Sequence, residues 1–582
     1  MLKSLLKQYY GFASFLPGQE EIINDILEKK NVIGVMPTGG GKSLCFQLPA
    51  LMMDGVTIVI SPLIALMKDQ VDKLQKNNIP ATFINSSIVP NEIQRRLELV
   101  KNGDTKLLYI APERFYSREF TEQLKTIKVS LFAIDEAHCI SEWGHDFRPS
   151  YLWLKNAIKM LGNPPVLALT ATATKEVRDD IQKQLELDAP SIYVTGFDRP
   201  NLKYHVKKCS DSEKMEHILD FTKKNLGTGI IYMGTRKKVD NMANFLEDYG
   251  IQAYGYHAGM DNQIRKQIQE DFMNEKKKII VATNAFGLGI DKSNIRFVIH
   301  FDIPGTVESY YQESGRAGRD GLPADCLLFY NFQDRFLREF FLKGENPNQK
   351  IIIEIYSILK SQINDPILFT YKEITEQLSE SVPEMTVSTV LKIFEKHGII
   401  ERPQERKITA YLKFIKPERE VQEIISGRSK IQKKLMDYLI LKYTGELEQG
   451  LNLNIEELLI ELDIKRDSVA RMMKKLQDER AINYEPPFRG SEVKLLERVS
   501  DNELHKIIGF DALQEKKKRS YSKLDMMENF IYHLGCRRKY ILDYFGEDHS
   551  GNCNNCDNCL RHKKYSHSSE GQPKEYLPSI NI

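Results

Sequence analysis

Near its start the chain reads Met36-Pro37-Thr38-Gly39-Gly40-Gly41-Lys42-Ser43, directly after the apolar run Val32-Ile33-Gly34-Val35. This order predicts a strand, a glycine-rich turn and the start of a helix. Glycines let the backbone curl until several N–H groups point at one centre, and the helix adds its positive end. The alternative is a glycine-rich turn that only leads into a core helix, since Met36 stands where the strict phosphate-loop pattern has glycine.

A phosphate-binding loop would give each of its side chains a role. Lys42 would reach the outer phosphates of a nucleotide, and the Ser43 hydroxyl would hold magnesium. The candidate nucleotide-binding residues of this loop are Thr38, Gly39, Gly40, Gly41, Lys42 and Ser43.

Short apolar runs alternate with helical patterns from about residue 30 to about residue 330. Continuous apolar strands separated by helices are typical of a parallel sheet that is covered on both faces. The series restarts after Phe197-Asp198-Arg199-Pro200-Asn201-Leu202, which predicts two α/β domains joined near residue 200. Ligands of such sheets bind beyond the carboxyl ends of the strands. Motifs that follow strands are therefore the candidate site residues.

An acidic pair, Asp135-Glu136, directly follows the predicted strand Leu131-Phe132-Ala133-Ile134. Asp135 could hold magnesium opposite the phosphate loop, and Glu136 could orient or deprotonate an attacking water. His138 completes the motif as a third candidate catalytic residue. Alone, such a pair would be interpreted as a solvated loop. On the same sheet as a phosphate loop it indicates phosphoryl-transfer chemistry.

Two arginines, Arg316 and Arg319, lie three residues apart in the second predicted domain. At that spacing both can face one way on a helical turn. A guanidinium donated across the cleft between the domains can stabilise charge on the transferring phosphoryl group. The alternative is an exposed surface pair, but the site in the first domain favours the catalytic interpretation.

The length and composition limit the class of protein. The 582 residues are too many for one core, so several domains are expected, and 41% apolar with 28% charged residues is typical of soluble globular proteins. A net charge of +2 means that any nucleic-acid site is a local basic surface. The sequence has no apolar run long enough to predict a membrane-spanning helix, and the first residues do not resemble a signal peptide. A cytoplasmic location is expected.

Four of the 8 cysteines cluster near the C-terminus, with the spacing C-x16-C-x2-C-x2-C. Four thiolates suit tetrahedral zinc, and CxxC steps bring successive sulfurs within reach of one ion. A set of free thiols is the alternative. We expect the first cysteine to lie on a helix covering residues 526–544, and the basic run 516–519 to be a linker. The candidate zinc ligands are Cys536, Cys553, Cys556 and Cys559.

Beyond residue 345 the pattern changes to helices with short β-like stretches. Three helices and a strand near residues 407–412 predict a winged helix over 346–415, and a similar order predicts a second one over 416–515. The last helix of this second predicted winged helix is basic, since it contains Arg471, Lys474 and Lys475. It is either a duplex-binding surface or a solvated face. A single larger domain is the alternative to two.

Taken together, these motifs resemble the RecQ family of superfamily 2 DNA helicases over roughly residues 8–335. The resemblance rests also on Ser61–Gln70, Ala111–Arg114, Thr170–Thr174, Tyr256–Gly259 and Val281–Asp291. It implies two RecA-like P-loop NTPase domains, ATP-driven 3′ to 5′ translocation on single-stranded DNA and duplex unwinding in repair and recombination. The residues Gly535–Arg538 and Tyr544–Glu547 match the zinc subdomain of the same family.

The resemblance also implies roles for single residues. Gln19 would read the adenine edge, Phe12 would stack on the base, and Asp291 would contact the nucleotide. The stretch Ser141–Tyr151 resembles the aromatic-rich loop that links DNA contact to ATP hydrolysis in the family. A local core is the alternative there. The implied DNA-contact and coupling residues are Trp143, Phe147, Arg148, Thr170 and Thr172.

The chain departs from the family pattern in two places. Leu16 stands where the family usually has arginine, which removes a guanidinium from the adenine site. The zinc module usually follows the motor directly, whereas here about 190 residues intervene before the helix at Met526. We expect the winged-helix segment to be an insertion that lets the zinc module fold back on the motor.

The sequence thus predicts an ATP-dependent DNA helicase with ATP, Mg²⁺ and Zn²⁺ as cofactors. The alternatives are a DNA-dependent ATPase that remodels protein–DNA complexes without separating strands, an RNA helicase, and a scaffold with an inactive motor. Single-stranded and duplex DNA are the expected partners, with single-strand-binding and recombination proteins as further candidates and no membrane. The expected domain limits are 1–200, 201–345, 346–415, 416–515, 516–564 and a disordered tail, 565–582.

Overall fold

The computed structural model describes residues 1–144, 146–287, 292–363, 366–402, 409–426, 430–462, 464, 466–486 and 490–566. The chain forms two compact units, one of Met1–Glu339 with Lys518–Ile582 and the other of Phe340–Lys517. Within the described residues, no helix combines the length and the apolar character needed to cross a membrane. The expected tail lies outside these residues from 567 onward.

The first lobe of the larger unit is a parallel sheet with strand order β3-β4-β2-β5-β6-β1-β7. Nearly all residues of its inner strands are buried, which explains their continuous apolar runs. The strands are β1 Val32–Val35, β2 Val56–Ile60, β3 Ala81–Ile84, β4 Leu107–Ile110, β5 Val129–Ile134, β6 Val166–Thr170 and β7 Ser191–Val194. The helices are α1 Leu2–Tyr10, α2 Gln19–Leu27, α3 Leu44–Met52, α4 Ile64–Lys76, α5 Pro90–Lys101, α6 Arg118–Leu124, α7 Leu154–Met160 and α8 Lys175–Leu185.

The second lobe repeats this architecture with strand order β10-β11-β9-β12-β13-β8, again all parallel. The strands are β8 Leu202–Lys208, β9 Thr228–Tyr232, β10 Ala253–Tyr256, β11 Ile279–Ala282, β12 Ile295–His300 and β13 Ala324–Tyr330. The helices are α9 Asp211–Lys224, α10 Arg236–Asp248, α11 Asn262–Met273, α12 Val307–Ser314 and α13 Phe332–Glu345. The prediction of two α/β domains with parallel sheets is confirmed.

The smaller unit contains two three-stranded sheets, β14-β19-β15 and β17-β16-β18. Its strands are β14 Ile367–Phe369, β15 Ile400–Glu401, β16 Thr409–Phe414, β17 Leu451–Asn454, β18 Ile482–Glu485 and β19 Ser491–Leu495. Its helices are α14 Gln349–Ser361, α15 Tyr371–Thr375, α16 Glu384–Lys396, α17 Glu418–Ser426, α18 Lys430–Lys442, α19 Ile455–Leu462, α20 Arg466–Asp478 and α21 Asp501–Ile508.

The two cores of this unit are nested in the sequence, because residues of the earlier core lie both before and after those of the later one. Strand β16 pairs with β17 and β18, so it belongs with the later helices and not with the first of the two predicted winged helices. Strand β19 pairs back with β14 and β15, and Val493 is buried in the earlier core. A β-like stretch does not reveal its partner, because strand pairing is non-local. Residues 407 and 408, the first two of the expected strand, lie outside the described residues.

The C-terminal part of the larger unit begins at Lys518, within α22 Phe510–Tyr532, and continues with α23 Arg537–Tyr544 and α24 Asp557–Ser566. Two expectations were wrong here. The basic run 516–519 is helical within α22, and the expected helix over 526–544 is interrupted between α22 and α23. Gly535 lies in the break, and Cys536 caps the N-terminus of α23. The break turns Cys536 toward the other cysteines.

Candidate active site

The phosphate-loop candidate follows β1 and leads into α3, which begins at Leu44. Gly39 and Gly41 have φ angles of 87° and 69°, a region that glycine enters without strain. At Gly40, a Cβ atom would lie 3.0 Å from the carbonyl oxygen of Pro37. The Lys42 Nζ donates to the carbonyl oxygens of Met36 at 3.3 Å and Pro37 at 3.4 Å. The loop is thus curled, with its lysine folded over it.

The acidic pair lies at the carboxyl end of β5, where Asp135 and Glu136 line the same cleft as Lys42. Glu136 has a φ of 49°, an uncommon value for a residue other than glycine and one that recurs at functional sites. Burial, reinforced by the charge of Glu136, raises the pKa of Asp135 to about 7. Burial also lowers the pKa of Lys42, and the negative charges of Glu136 and Asp135 partly oppose this shift. A cation placed between these groups would relieve the repulsion of the acidic pair.

The cleft has a volume of about 510 Å³ and is lined from both lobes. Thr38, Gly39, Gly41 and Ser43 join Lys42 and the acidic pair from the first lobe, and Gln312, Arg316 and Arg319 come from the second. Within the described part of the chain, the buried Arg316 Nε has no hydrogen-bond partner. Carboxylates and a hydroxyl suit Mg²⁺, and the lysine together with the Nε–H of Arg316 suits phosphate oxygens. The donor set therefore fits a nucleoside triphosphate with its magnesium ion.

A chain of hydrogen bonds runs from the acidic motif to the second lobe. His138 Nδ1 lies 2.9 Å from Thr170 Oγ1, and the same oxygen accepts from the Thr172 N–H at 3.2 Å. Gln312 Nε2 of the second lobe then donates to Thr172 Oγ1 at 3.1 Å. His138, Thr170 and Thr172 are buried. A change in the separation of the lobes would therefore act directly on the residues next to the acidic pair.

Arg199, in the segment between the lobes, was not anticipated as a site residue. Its guanidinium donates to the carbonyl oxygen of Thr38 in the phosphate loop and to that of Gly315 in the second lobe, both at 2.9 Å. It also donates to the carbonyl oxygens of Ala317 and Gly318, which lie between the two candidate arginines in the chain. Its place in the interdomain segment was the only signal in the sequence.

The base side of the nucleotide site is less complete. Phe12 lines the cleft, and its residue surface is 59% exposed. Gln19 is buried, and its Nε2 donates to the carbonyl oxygen of Gly41 at 3.1 Å while its Oε1 accepts from the Leu16 N–H at 2.9 Å. Both ends of the Gln19 amide are thus engaged with the protein. Asp291 lies outside the described residues.

Leu16, which is 49% exposed beside the phosphate loop, gives a first prediction. Leu16→Arg is expected to lower the KM for ATP about 3-fold, since a guanidinium plane adds a stacking and cation–π partner for the base. The measurement is steady-state hydrolysis of ATP, with Leu16→Met as the control that adds no cation. A KM for ATP in Leu16→Arg that equals the value in Leu16→Met would contradict a role of this position in base binding.

The aromatic loop is attached to the acidic motif at several points. The Arg148 N–H donates to the Cys139 carbonyl oxygen at 2.9 Å, and the Tyr151 hydroxyl donates to that of Asp135 at 3.2 Å. The Arg148 guanidinium bonds Asp146 at 3.0 Å and the Pro62 carbonyl oxygen at 3.0 Å. Phe147 is half-buried, whereas Trp143 is exposed. Displacement of this loop would be transmitted to the backbone of Asp135.

The cysteine cluster is assembled at the break between α22 and α23 and the start of α24. The sulfur atoms of Cys536, Cys553, Cys556 and Cys559 all lie within 4.8 Å of one another. Backbone N–H groups of Arg537 and Cys556 donate to sulfurs at 3.4 and 3.3 Å, and the neighbouring thiol of Cys553 lowers the pKa of Cys556. Four sulfurs at these separations, supported by N–H donors, fit one tetrahedral zinc ion.

The zinc module folds back on the motor, as expected for an inserted winged-helix segment. Phe545 stacks on Phe197 with ring centroids 4.4 Å apart. Arg538 pairs with Asp198, and Asp557 accepts from the Val206 N–H at 3.1 Å. The module is thereby fixed to the interlobe segment and to the first strand of the second lobe.

Comparisons with known proteins define the class of these domains. Residues 16–180 match the DEAD/DEAH box helicase family, residues 213–321 match the helicase conserved C-terminal domain, and residues 491–560 match the RecQ zinc-binding family. A structure of Mss116p bound to ssRNA and AMP-PNP superimposes with a TM-score of 0.50 at 16% identity, covering 68% of this chain and 92% of that one. That likeness concerns the fold alone. The two lobes are RecA-like helicase domains.

Two relatives from Bacillus subtilis (strain 168) identify the family. The chain is 49% identical over 351 residues to the ATP-dependent DNA helicase RecQ, covering 60% of this chain and 59% of that protein. It is 42% identical over 362 residues to the probable ATP-dependent DNA helicase RecS, covering 62% of this chain and 73% of that protein. The chain belongs to the RecQ family of helicases. It spans less than two thirds of the length of the RecQ relative.

Proposed function

We propose that this protein is an ATP-dependent DNA helicase that translocates 3′ to 5′ on single-stranded DNA and unwinds duplex DNA in repair or recombination. The observation that carries the proposal is the cleft in which Lys42, Asp135 and Glu136 of one lobe face Arg316 and Arg319 of the other. A nucleotide held there would contact both lobes. Its binding and hydrolysis would therefore favour different separations of the lobes.

The residues of the chain divide the work of hydrolysis. Lys42 binds the outer phosphates, and Ser43 with Asp135 would hold Mg²⁺, which supplies charge neutralisation when it is bound. Glu136 holds the attacking water and accepts its proton. Arg316 and Arg319 stabilise the charge that develops on the transferring phosphoryl group.

The link to DNA runs through the aromatic loop. Base stacking on Trp143 would move a loop whose Tyr151 hydroxyl bonds the Asp135 carbonyl oxygen. The hydrogen bonds through His138, Thr170 and Thr172 would transmit this movement to Gln312 in the second lobe. Each cycle of opening and closing advances the strand if the two states hold DNA differently.

Strand separation on tailed duplexes tests the proposal. With ATP, a duplex with a 3′ single-stranded tail is expected to be unwound, whereas a blunt duplex, a 5′-tailed duplex and an RNA duplex are not. DNA-stimulated hydrolysis without unwinding of any substrate would instead support a motor that remodels protein–DNA complexes. Preferential unwinding of the RNA duplex would contradict a DNA motor.

We further propose the limits of the domains. The two lobes cover 1–200 and 201–345, and the zinc module covers 516–564. An inserted winged-helix-like subdomain covers about 409–485, and an outer one is formed by the flanking residues from 346 onward. The separate buried cores of the two subdomains support this division.

The exposed face of α20 is the proposed duplex-binding surface, and it gives a second prediction. Val469, Met472 and Leu476 bury one side of the helix, which leaves Lys474 and Lys475 exposed. Replacing both lysines by glutamine is expected to weaken duplex binding and to lower the salt-dependence slope by up to about 2, one for each lost phosphate contact.

Binding of a labelled duplex across a salt series measures this effect. Lys101→Gln with Lys183→Gln is the matched control, since both lysines are exposed at the ends of helices in the first lobe. An unchanged affinity and slope in the α20 variant would show that this face is merely solvated.

A further inference from the structure

Two side chains of the zinc-module helix α22 contact the aromatic loop of the first lobe. The Arg519 guanidinium carbon lies 3.6 Å from the centroid of the Trp143 ring. Lys523 Nζ donates to the Trp143 carbonyl oxygen at 2.5 Å and to Glu308 Oε1 at 2.8 Å. Residues four apart on a helix share one face. The helix therefore holds both the ring and the backbone of Trp143.

This helix is anchored on the second lobe. Arg335 pairs with Asp525 at 2.8 Å and also with Glu528. The ring centroids of Phe530 and Tyr310 lie 5.1 Å apart. Glu308 is a buried residue in the first turn of α12, in the same lobe. Arg519 and Lys523 therefore connect a helix fixed to the second lobe with a loop of the first.

The Trp143 ring keeps room for a ligand despite this contact. The residue is 39% exposed, although a guanidinium covers one ring face. Guanidinium groups stack on aromatic faces, and the contact restrains the orientation of the ring. The exposed part of this residue lies on an aromatic side chain that stands beside a positive charge. An unpaired nucleobase attached to a phosphate backbone has the matching shape and charge.

We propose that Arg519 and Lys523 are positioning residues, which hold Trp143 so that an unpaired base of single-stranded DNA stacks on its open face. Arg519 orients the ring, and Lys523 ties the loop backbone to Glu308 and thus to the second lobe. The inference rests on the proposed DNA-dependent motor. It goes further by giving the zinc module a part in sensing the strand.

Arg519→Gln tests the proposal, because it removes the stacked cation and leaves a polar side chain on the helix. The chain has 2 tryptophans, Trp143 and Trp153, so the Trp153→Phe protein reports on Trp143 alone. Oligo(dT) is expected to quench the Trp143 fluorescence of this parent. With Arg519→Gln added, half-quenching is expected at a 5- to 20-fold higher oligonucleotide concentration. Arg519→Lys, which keeps the charge without the plane, should fall between the two.

Two further readouts separate positioning from a direct phosphate contact. In anisotropy titrations with labelled oligo(dT), Arg519→Gln should leave the salt-dependence slope unchanged, whereas loss of a phosphate contact would lower it by about 1. In a Trp143→Ala background, Arg519→Gln should have no further effect, because its action passes through the ring. Arg118→Gln, at an exposed position on α6, is the matched control.

The outcomes are distinguishable. Three results would each overturn the positioning role while leaving the proposed motor intact. The first is wild-type affinity for the oligonucleotide in Arg519→Gln, and the second is a lowered salt-dependence slope in that variant. The third is an equal loss of affinity when Arg519→Gln is introduced into the Trp143→Ala protein. Failure of the Trp153→Phe parent to bind any oligonucleotide would contradict the proposed function itself.

Discussion

Replacing Lys42 by alanine is expected to lower the rate of ATP hydrolysis by roughly 100-fold or more and to abolish strand separation. Lys42 is the cation of the phosphate loop, and it lines the cleft opposite the arginines of the second lobe. Glu136→Gln is expected to have a similar effect on hydrolysis, through loss of the group that accepts the proton of water. Steady-state hydrolysis and gel-based unwinding measure both variants.

The two variants should differ in nucleotide binding. Lys42→Ala removes a ground-state contact and should weaken binding of a fluorescent ATP analogue, whereas Glu136→Gln should retain it. Glu98→Gln, an exposed position on α5, is the control for the neutralised carboxylate. Unwinding by either variant at near wild-type rate would show that this cleft is not the site of hydrolysis.

Replacing Cys556 by serine is expected to remove zinc and unfold the zinc module, since structural zinc sites contribute on the order of 10 kcal/mol. Cys556 is buried and within reach of the three other sulfurs. Loss of the module would also release the contacts of Phe545 with Phe197 and of Arg538 with Asp198. The zinc content measured by metal analysis should fall from one ion per chain to less than about 0.1. The segment beyond residue 518 should become sensitive to protease.

A cysteine outside the cluster provides the control. Cys209 is half-buried in the second lobe, so Cys209→Ser should keep one zinc per chain. A prolonged treatment with chelator should reproduce the Cys556→Ser phenotype in the wild-type protein. One zinc per chain in purified Cys556→Ser would contradict a four-cysteine site.

Local sequence patterns identified candidate site residues where a motif directly follows a strand. The phosphate loop after β1 and the acidic pair after β5 lie together because parallel strands end at one edge of a sheet. The spacing of the four cysteines likewise indicated a zinc site. In each case a short stretch carries both the residue types and the geometry that the chemistry requires.

Contacts between distant segments could not be predicted in this way. Arg199 bridges the phosphate loop and the second lobe, and Arg519 stacks on Trp143, yet neither carries a motif. Strand β16 reads as part of the earlier winged helix until its pairing with β18 is known. Such relations depend on tertiary packing and on non-local strand pairing, which override local propensity.

The central claim is that hydrolysis in the interlobe cleft depends on single-stranded DNA, and its most direct measurement is the ATPase rate of the full chain with and without a saturating oligonucleotide. We expect a low basal rate that single-stranded DNA raises at least 10-fold, with the increase lost in Glu136→Gln. A rate that DNA leaves unchanged, or a DNA-dependent rate that survives in Glu136→Gln, would contradict the account.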